Sequence, residues 1–225
     1  HSVRAVGRAD LTAIARYANE QDLPIHAHVS EQIRENEETR AEHGCSPTAL
    51  LADTGCLARP GSFTAIHAIH LDADDHRLLA GQCVCACPTT EADLGDGIVP
   101  ARRHLDAGAT LCLGSDSNSI IDLVQEARLL EMHERLATRS RLCLADVAGS
   151  VSSTLLAAAT RGGALALART ELGRLAPGCP FDAVGIDLDH PTMRDVAPSS
   201  TIDALFLSGT AAPVQQVWVG GRRLR

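Results

Sequence analysis

Four side chains in this 225-residue sequence have the types and the order that a hydrolytic metal site requires: His28, Glu31, His67 and Asp116. Imidazole nitrogen and carboxylate oxygen are ligands of catalytic zinc, which keeps one position open for water. A bound metal lowers the pKa of that water to about 7. A carboxylate beside the metal, such as Glu31, can then carry the proton to a leaving nitrogen. The set therefore predicts metal-assisted hydrolysis.

Each of these residues also has an ordinary structural explanation when it is taken alone. A histidine in a strand is commonly a satisfied interior group, an acid such as Glu31 is favoured near a helix N-terminus, and Asp116 can cap a helix. Their occurrence in order at successive strand ends favours a shared site. We expect His26 and His70 to support that site. The remaining histidines beyond His1 are expected at the surface: His43, His76, His104, His133 and His190.

The elements that position these residues alternate between strand and helix. Apolar segments predict strands at 23–29, 63–68, 83–87 and 110–114, the third broken by Pro88. Helical spacing of apolar residues predicts helices at 10–21, 31–43, 46–53, 74–81, 100–107 and 123–135, with Asp10 capping the first. Strands joined by crossover helices imply a parallel sheet, whose carboxyl ends share one edge. In a (β/α)₈ barrel that edge carries the active site.

The order of elements predicts an α/β fold that contains half of such a barrel. We assign residues 1–170 to a partial (β/α) barrel and residues 171–225 to part of a small β-rich domain, in which 182–186, 204–207 and 217–219 are predicted strands. A complete barrel needs about 250 residues, and only four strands precede the β-rich part. We therefore expect the sequence, which begins at His1, to be the later half of a longer chain.

The composition excludes several classes of protein. The 20 basic residues, all arginine, are scattered and outnumbered by 28 acids, so no basic surface for nucleic acid is expected. No apolar run reaches the roughly 18–20 residues of a membrane span. We also expect no secretory signal, because no hydrophobic stretch follows His1. The eight cysteines lie within hydrophobic segments and show no C-x-x-C pair. They are expected to be buried structural thiols of a cytoplasmic protein.

Four stretches resemble the amidohydrolase superfamily and, within it, the formimidoylglutamate deiminases. They are HSVRAV at 1–6, IHAHVSEQ at 25–32, CPTTEADLGDG at 87–97 and GSDSN at 114–118. The C-P-T and G-S-D motifs are common to many aminohydrolases of the superfamily. The T-E-A-D-L-G-D-G extension and H-S-V-R are more specific to the deiminases. The resemblance implies the second half of an amidohydrolase barrel and part of its small β domain.

The resemblance also implies a role for each of the four residues named first. It implies one divalent metal ion, with zinc as the first expectation, held by His28 on the fifth barrel strand and Asp116 on the eighth. Glu31, His67 and Asp116 are then the catalytic residues. Glu31 acts as general acid and base, His67 polarises the substrate, and Asp116 also takes a proton from the metal-bound water.

Two residues at the start of the sequence are implied to bind substrate. His1 and Arg4 follow the fourth barrel strand and are expected to contact the glutamate part of N-formimino-L-glutamate. The planar guanidinium of arginine pairs with a carboxylate through two hydrogen bonds. Arg4 has no acidic neighbour before Asp10, so we expect its charge to be available to a ligand.

One departure from the family pattern limits what this sequence can do alone. The family's other metal ligands form an H-x-H pair on the first barrel strand. His26-Ala-His28 cannot be that pair, because the sixth-strand His67 follows too soon. The sequence alone is therefore expected to bind metal weakly and to be inactive.

For the complete protein, the resemblance implies a homodimer that acts on a small-molecule substrate. The reaction is deimination of N-formimino-L-glutamate to N-formyl-L-glutamate and ammonia, in histidine degradation. Two alternatives remain open. One is another aminohydrolase, such as a guanine-type deaminase. The other is a non-catalytic remnant that serves as an interaction module.

Overall fold

The computed structural model describes residues 1–208 and 210–225. The strands are β1 (Ile25–Val29), β2 (Phe63–His67), β3 (Cys83–Ala86), β4 (Thr110–Leu113), β5 (Ala183–Ile186), β6 (Val214–Val219) and β7 (Arg222–Arg223). The helices are α1 (Arg8–Glu20), α2 (Ile33–His43), α3 (Pro47–Asp53), α4 (Ala73–Leu78), α5 (Pro88–Leu94), α6 (Ala101–Asp106), α7 (Leu123–Thr138), α8 (Val151–Ala157), α9 (Gly163–Ala166) and α10 (Thr201–Ser208). None of these helices is long and apolar enough to cross a bilayer.

The first four strands form one parallel sheet in chain order. The register pairs His28 of β1 with Ile66 of β2, and Cys85 of β3 with Cys112 of β4. Ser2 adds an isolated parallel bridge beside His28, so the first residues continue the sheet past β1. The predicted parallel strand order is therefore confirmed, and the carboxyl ends of all four strands share one edge.

The two faces of this sheet are packed differently. Because side chains alternate between faces along a strand, Phe63, Val84 and Leu111 lie in the main core with helix residues such as Leu50 and Leu130. Each large apolar side chain buried there contributes about 1.5–3 kcal/mol. A separate small cluster forms from Cys83, Cys85, Cys112 and Ala166. The helices therefore cover one face, and cysteines occupy much of the other.

A second sheet follows near the end of the chain. In it β5 pairs with β6 and β6 with β7, both antiparallel, and Phe181 contacts Trp218 edge-on at 5.8 Å between ring centroids. The prediction of a strand at 204–207 is wrong, because this segment lies in α10, which packs against α7 and α8. The apolar residues Ile202, Leu205 and Phe206 have the three- and four-residue spacing of a helix. The predicted strand covered only residues 204–207, which is too short a segment to show that spacing.

The starts of α1 and α5 show features that the sequence did not predict. Asp10 does not cap α1, because the helix begins at Arg8 and Gly7 is its N-cap, which leaves Asp10 in the first turn. β3 ends at Ala86, shortly before Pro88, and Pro88 starts α5. Proline fits the first helical position, where its missing N–H is not needed.

Two histidines expected at the surface are buried. His76 of α4 and His104 of α6 contact each other edge-on at 4.7 Å between ring centroids. The Nε2–H of His104 donates to the carbonyl of Ala68 at 3.0 Å. Burial lowers the pKa of His104 to about 4, so this ring is neutral at pH 7. The prediction is wrong because these helices present their histidines to the sheet.

Gly162 allows the α8–α9 segment to approach the edge of the sheet. It ends a π-helical turn, Ala158–Gly162, and a Cβ on it would lie 2.0 Å from the backbone oxygen of Leu111 in β4. We expect Gly162→Ala to lower the free energy of unfolding by about 3 kcal/mol, because either the helix or the strand must move. Urea unfolding of the protein expressed from its complete gene measures this.

The neighbouring glycine provides a matched control. Gly163 has no atom within 4 Å of its Cβ position, so Gly163→Ala should stabilise the helix by about 0.5–1 kcal/mol. Equal effects of the two substitutions would contradict the close approach of this segment to β4.

Candidate active site

The four candidate residues meet at the carboxyl edge of the parallel sheet. His28 lies near the end of β1 and Glu31 follows that strand, while His67 is the last residue of β2 and Asp116 follows β4. The Nε2 atom of His67 lies 3.8 Å from Glu31 Oε1 and 3.7 Å from Asp116 Oδ2. The His67 ring stacks on that of His28 with centroids 5.6 Å apart. The structure therefore places all four side chains around one point.

His67 is the fully buried centre of this group. Its Nδ1 atom lies 3.2 Å from Glu91 Oε1, the partner in a hydrogen bond. Burial alone would lower the pKa of His67, but the Glu91 hydrogen bond and the carboxylates of Glu91, Glu31 and Asp116 raise it above its usual value. Burial also raises the pKa of Glu91. Both shifts favour keeping a proton in the Nδ1–Oε1 hydrogen bond.

Glu91 is the site residue that the sequence prediction did not assign. Its Oε1 atom accepts the backbone N–H of Cys87 at 2.8 Å as well as the contact from His67. The carboxylate thus ties the start of α5 to the imidazole at the end of β2. The deiminase-like C-P-T-T-E motif was the available signal, but the pairing of Glu91 with His67 depends on the fold.

His28 is oriented as a metal ligand would be. A carbonyl oxygen can only accept, so the 3.2 Å contact of His28 Nδ1 with the carbonyl of His1 places the proton on Nδ1. The lone pair of Nε2 is then free, which is the common arrangement of ligating histidines. Burial lowers the pKa of His28, and the neighbouring His67 lowers it further. A neutral ring of this tautomer suits a divalent metal.

An unpartnered atom gives a second test of the metal assignment. Nε2 of His67 is buried and has no hydrogen-bond partner, although buried polar atoms are normally paired. It faces carboxylate oxygens of Glu31 and Asp116 at nearly 4 Å, too far for hydrogen bonds. The set of histidine nitrogen and carboxylate oxygen fits a divalent metal together with a substrate or water.

The backbone at this edge is held in conformations that most residues avoid. Ser30, His67, Ala68 and Asp116 all have φ between 47° and 69°, the left-handed region that costs energy for residues other than glycine. The loop carrying Asp116 is tied to α5, because Thr90 Oγ1 donates to the Ser115 carbonyl at 2.8 Å. Strain of this kind persists only where surrounding contacts fix it.

Arg4 has acidic partners that the sequence prediction did not foresee. Its Nη2 atom pairs with Glu31, and its Nε lies 3.9 Å from Glu35 Oε2. Glu35 is buried and also accepts the backbone N–H of Glu31 at 3.0 Å. The expectation that Arg4 is unpaired is therefore wrong, because its partners lie about 30 residues later and reach it only through the sheet. The centroid of the His1 ring lies 6.1 Å from that of the His28 ring, so His1 is also beside the site.

Two further histidines hold neighbouring segments. His26 Nε2 donates to the carbonyl of Ala166 at 2.7 Å, which anchors the end of α9. His70 Nε2 donates to the carbonyl of Asp96 at 2.8 Å, which anchors the segment after α5. Both contacts are structural supports beside the four central residues.

A parallel sheet with imidazoles and carboxylates at its carboxyl edge defines a barrel-type hydrolase. The chain belongs to the amidohydrolase family, whose family model matches residues 1–224. It is 34% identical over 99% of its length to the formimidoylglutamate deiminase of Pseudomonas aeruginosa, of which it covers 49%. It is also 34% identical over 87% of its length to a 5-methylthioadenosine/S-adenosylhomocysteine deaminase of Halobacterium salinarum, of which it covers 44%.

The fold is also that of solved members of this class. A crystal structure of an adenosine deaminase from Xanthomonas campestris with bound zinc matches 97% of this chain with a TM-score of 0.87 and 26% identity. This chain covers 49% of that structure. The chain thus spans about half the length of the curated relatives and solved structures it matches, which confirms the prediction of a partial barrel.

The hydrogen bonds of Glu91 predict a stability effect. Glu91→Ala should lower the free energy of unfolding by about 3 kcal/mol, because it leaves His67 Nδ1 and the Cys87 N–H buried without an acceptor. Glu91→Gln keeps an acceptor oxygen and should cost less. Glu37→Ala, on the exposed face of α2, is the control and should change stability by about 0.5 kcal/mol or less. Equal losses of unfolding free energy in the two alanine variants would show that the hydrogen bonds of Glu91 do not stabilise the fold.

Proposed function

We propose that the complete protein is a metal-dependent hydrolase of non-peptide C–N bonds that deiminates N-formimino-L-glutamate. The observation that carries the proposal is the position of His67, with its unpartnered Nε2 between Glu31 and Asp116 and its ring on His28. The 34% identity to a formimidoylglutamate deiminase supports the substrate. The products are N-formyl-L-glutamate and ammonia.

His28 and Asp116 are the proposed metal ligands in this part of the chain. A divalent ion, for which zinc is the first candidate, supplies Lewis acidity that makes water nucleophilic near neutral pH. Asp116 accepts a proton from the attacking water. The zinc in a matching adenosine deaminase structure supports the choice of metal.

Glu31 and His67 carry the remaining proton and charge movements. Glu31 is the general acid that protonates the departing nitrogen, and its carboxylate lies within 4 Å of His67 Nε2. His67, held by Glu91 through Nδ1, donates from Nε2 to the substrate and stabilises the charge that develops as water adds to the formimino carbon. The buried Glu35 positions Glu31 through its backbone N–H.

Arg4 and His1 are the proposed contacts for the glutamate part of the substrate. Arg4 lies against Glu31 and Glu35, so its guanidinium is at the site. We propose that a substrate carboxylate shares this guanidinium with Glu31. Arginine suits that role because it offers five N–H donors in a fixed fork.

A purine aminohydrolase is the second candidate, because a relative with the same identity is a 5-methylthioadenosine/S-adenosylhomocysteine deaminase. Aromatic side chains commonly stack on flat rings. In the described part of the chain, none of the aromatic residues reaches the carboxyl edge. Phe63 begins β2 at the opposite end. The others lie on α1, on α10, just before β5 and on β6: Tyr17, Phe206, Phe181 and Trp218. Arg4 at the site favours the charged, aliphatic substrate, because an uncharged ring offers its guanidinium little to pair with.

We further propose a role in histidine degradation in the cytoplasm. The substrate is an intermediate of the kind that histidine breakdown supplies. All eight cysteines are free thiols, which supports a reducing compartment.

A two-substrate comparison tests the specificity. In the protein expressed from its complete gene, Arg4→Met should weaken kcat/KM for N-formimino-L-glutamate by about 2–4 kcal/mol, the scale of truncating one partner of a desolvated charge pair. N-methylformamidine has no carboxylate, so the loss of kcat/KM with this substrate should be clearly smaller. That loss would reflect only the missing contact between Arg4 and Glu31. Arg8→Met is the control, since Arg8 pairs at the surface with Asp53 at 3.4 Å.

Two outcomes would contradict this proposal. Equal losses of kcat/KM on both substrates would mean that Arg4 does not bind the glutamate part of the substrate. Faster wild-type release of ammonia from 5-methylthioadenosine or guanine than from N-formimino-L-glutamate would replace the deiminase proposal with the purine one.

A further inference from the structure

The segment after β4 carries Asp116 in a tight turn. The backbone N–H of Asn118 donates to the carbonyl of Ser115 at 3.0 Å, which closes the turn around Asp116 and Ser117. Asp116 itself has a φ of 47°, a left-handed conformation that costs energy for a residue with a side chain. The turn therefore needs contacts from elsewhere in the fold to persist in this form.

Thr90 of α5 supplies contacts of this kind. It is fully buried, and its Oγ1 atom donates to the Ser115 carbonyl at 2.8 Å and accepts the N–H of Asn118 at 3.2 Å. A threonine hydroxyl has one proton to donate and two lone pairs with which to accept, so a single group can bind both residues at once. The hydroxyl of Ser117 lies 3.5 Å from the same oxygen. Thr90 thus contacts both residues that close the turn around Asp116.

The carboxylate of Asp116 has no comparable support of its own. Its Oδ2 atom lies 3.7 Å from His67 Nε2, too far for a hydrogen bond. Within residues 1–208 and 210–225, no hydrogen bond reaches this carboxylate. Carboxylates that bind metal ions are normally oriented by hydrogen bonds from neighbouring groups. The direction of this side chain therefore depends on the backbone of the turn, and so on the contacts that hold the turn.

We propose that Thr90 is a positioning residue whose hydroxyl fixes the turn that orients the Asp116 carboxylate for metal binding. This inference rests on the proposed function, in which Asp116 is a metal ligand. Without the hydroxyl, the turn loses its buried tie to α5, and Asp116 can relax toward a more favourable backbone conformation. The exposed hydrogen bond from Asn118 Nδ2 to Asp93, at 2.7 Å, remains but holds only one end of the turn. Loss of the Thr90 hydroxyl should therefore weaken metal binding.

Helix α5 can hold this turn in place because its own start is fixed. The N–H of Thr89 donates to the carboxylate of Glu126 on α7 at 3.0 Å. Glu91 holds His67 through the hydrogen bond at 3.2 Å, while the residue before it holds the turn. Two adjacent residues of one helix thus place the imidazole and the carboxylate of the site relative to each other.

Zinc affinity tests the role of the hydroxyl. It is measured by competition with a chromophoric chelator in the protein expressed from its complete gene. Thr90→Val removes the hydroxyl but keeps the size of the side chain, and it should bind zinc about tenfold or more weakly than the wild type. Thr90→Ser keeps the hydroxyl and should bind zinc as the wild type does. The visible absorption of the Co²⁺-loaded protein should change in the valine variant and not in the serine variant.

Thr54→Val is the matched control. Thr54 is also buried, and its hydroxyl donates to the Leu50 carbonyl at 3.0 Å at the end of α3. This variant therefore loses the same kind of hydrogen bond away from the turn of Asp116. It should lower the free energy of unfolding and leave the zinc affinity unchanged.

Wild-type zinc affinity in Thr90→Val would overturn the inference, because Thr90 would then support only the fold. Thr90→Ala, a second variant without the hydroxyl, gives the same test if the valine variant fails to fold. An equal loss of affinity in Thr90→Ser would overturn the assignment to the hydroxyl, and an equal loss in Thr54→Val would show that zinc affinity merely follows stability. None of these measurements uses the substrate. A wild type that binds zinc through Thr90-dependent contacts but does not deiminate N-formimino-L-glutamate would refute the proposed substrate and support this inference.

Discussion

The hydrogen bond between His67 Nδ1 and Glu91 Oε1 fixes the imidazole around which this site is arranged. An imidazole buried without a partner would be costly, and here one nitrogen is satisfied so that the other can face Glu31 and Asp116. The bond also links the end of β2 to the start of α5, because Glu91 accepts the N–H of Cys87. The His67–Glu91 hydrogen bond forms only when β2 and α5 are correctly placed relative to each other. The chemistry of the edge thus depends on one buried donor and acceptor.

Buried carboxylates perform a similar positioning task elsewhere in the fold. Glu35 accepts the N–H of Glu31 at 3.0 Å, and Glu126 accepts the N–H of Thr89 at 3.0 Å. Glu131 accepts the N–H of Leu144 at 2.9 Å. A carboxylate oxygen satisfies backbone donors where a loop has no ladder partner. At the carboxyl edge, Glu35 and Glu126 thus tie the segments that follow β1 and β3 to helices α2 and α7.

Much of the scaffold was predictable because it depends on local patterns. Apolar segments bounded by turn residues gave the four strands of the parallel sheet, and the strand order placed His28, His67 and Asp116 on one edge. The pairings that cross the sheet were not predictable in that way. The contact of Arg4 with Glu31 and the hydrogen bond of Glu91 with His67 each join residues that are 24 or more positions apart. The burial of His104 depends on which face of its helix the rest of the fold covers. The helix at Thr201–Ser208 was missed because a short apolar run has no clear period.

In the proposed site, His28 and Asp116 hold a metal ion beside Glu31, which moves a proton without binding the metal. Metal analysis by mass spectrometry of the purified complete protein and of His28→Ala, Asp116→Ala and Glu31→Gln tests it directly. We expect about one ion per chain in the wild type and in Glu31→Gln, and a loss of about tenfold or more in metal affinity in His28→Ala and Asp116→Ala. Full metal content in His28→Ala and Asp116→Ala, or loss of metal from Glu31→Gln alone, would contradict it.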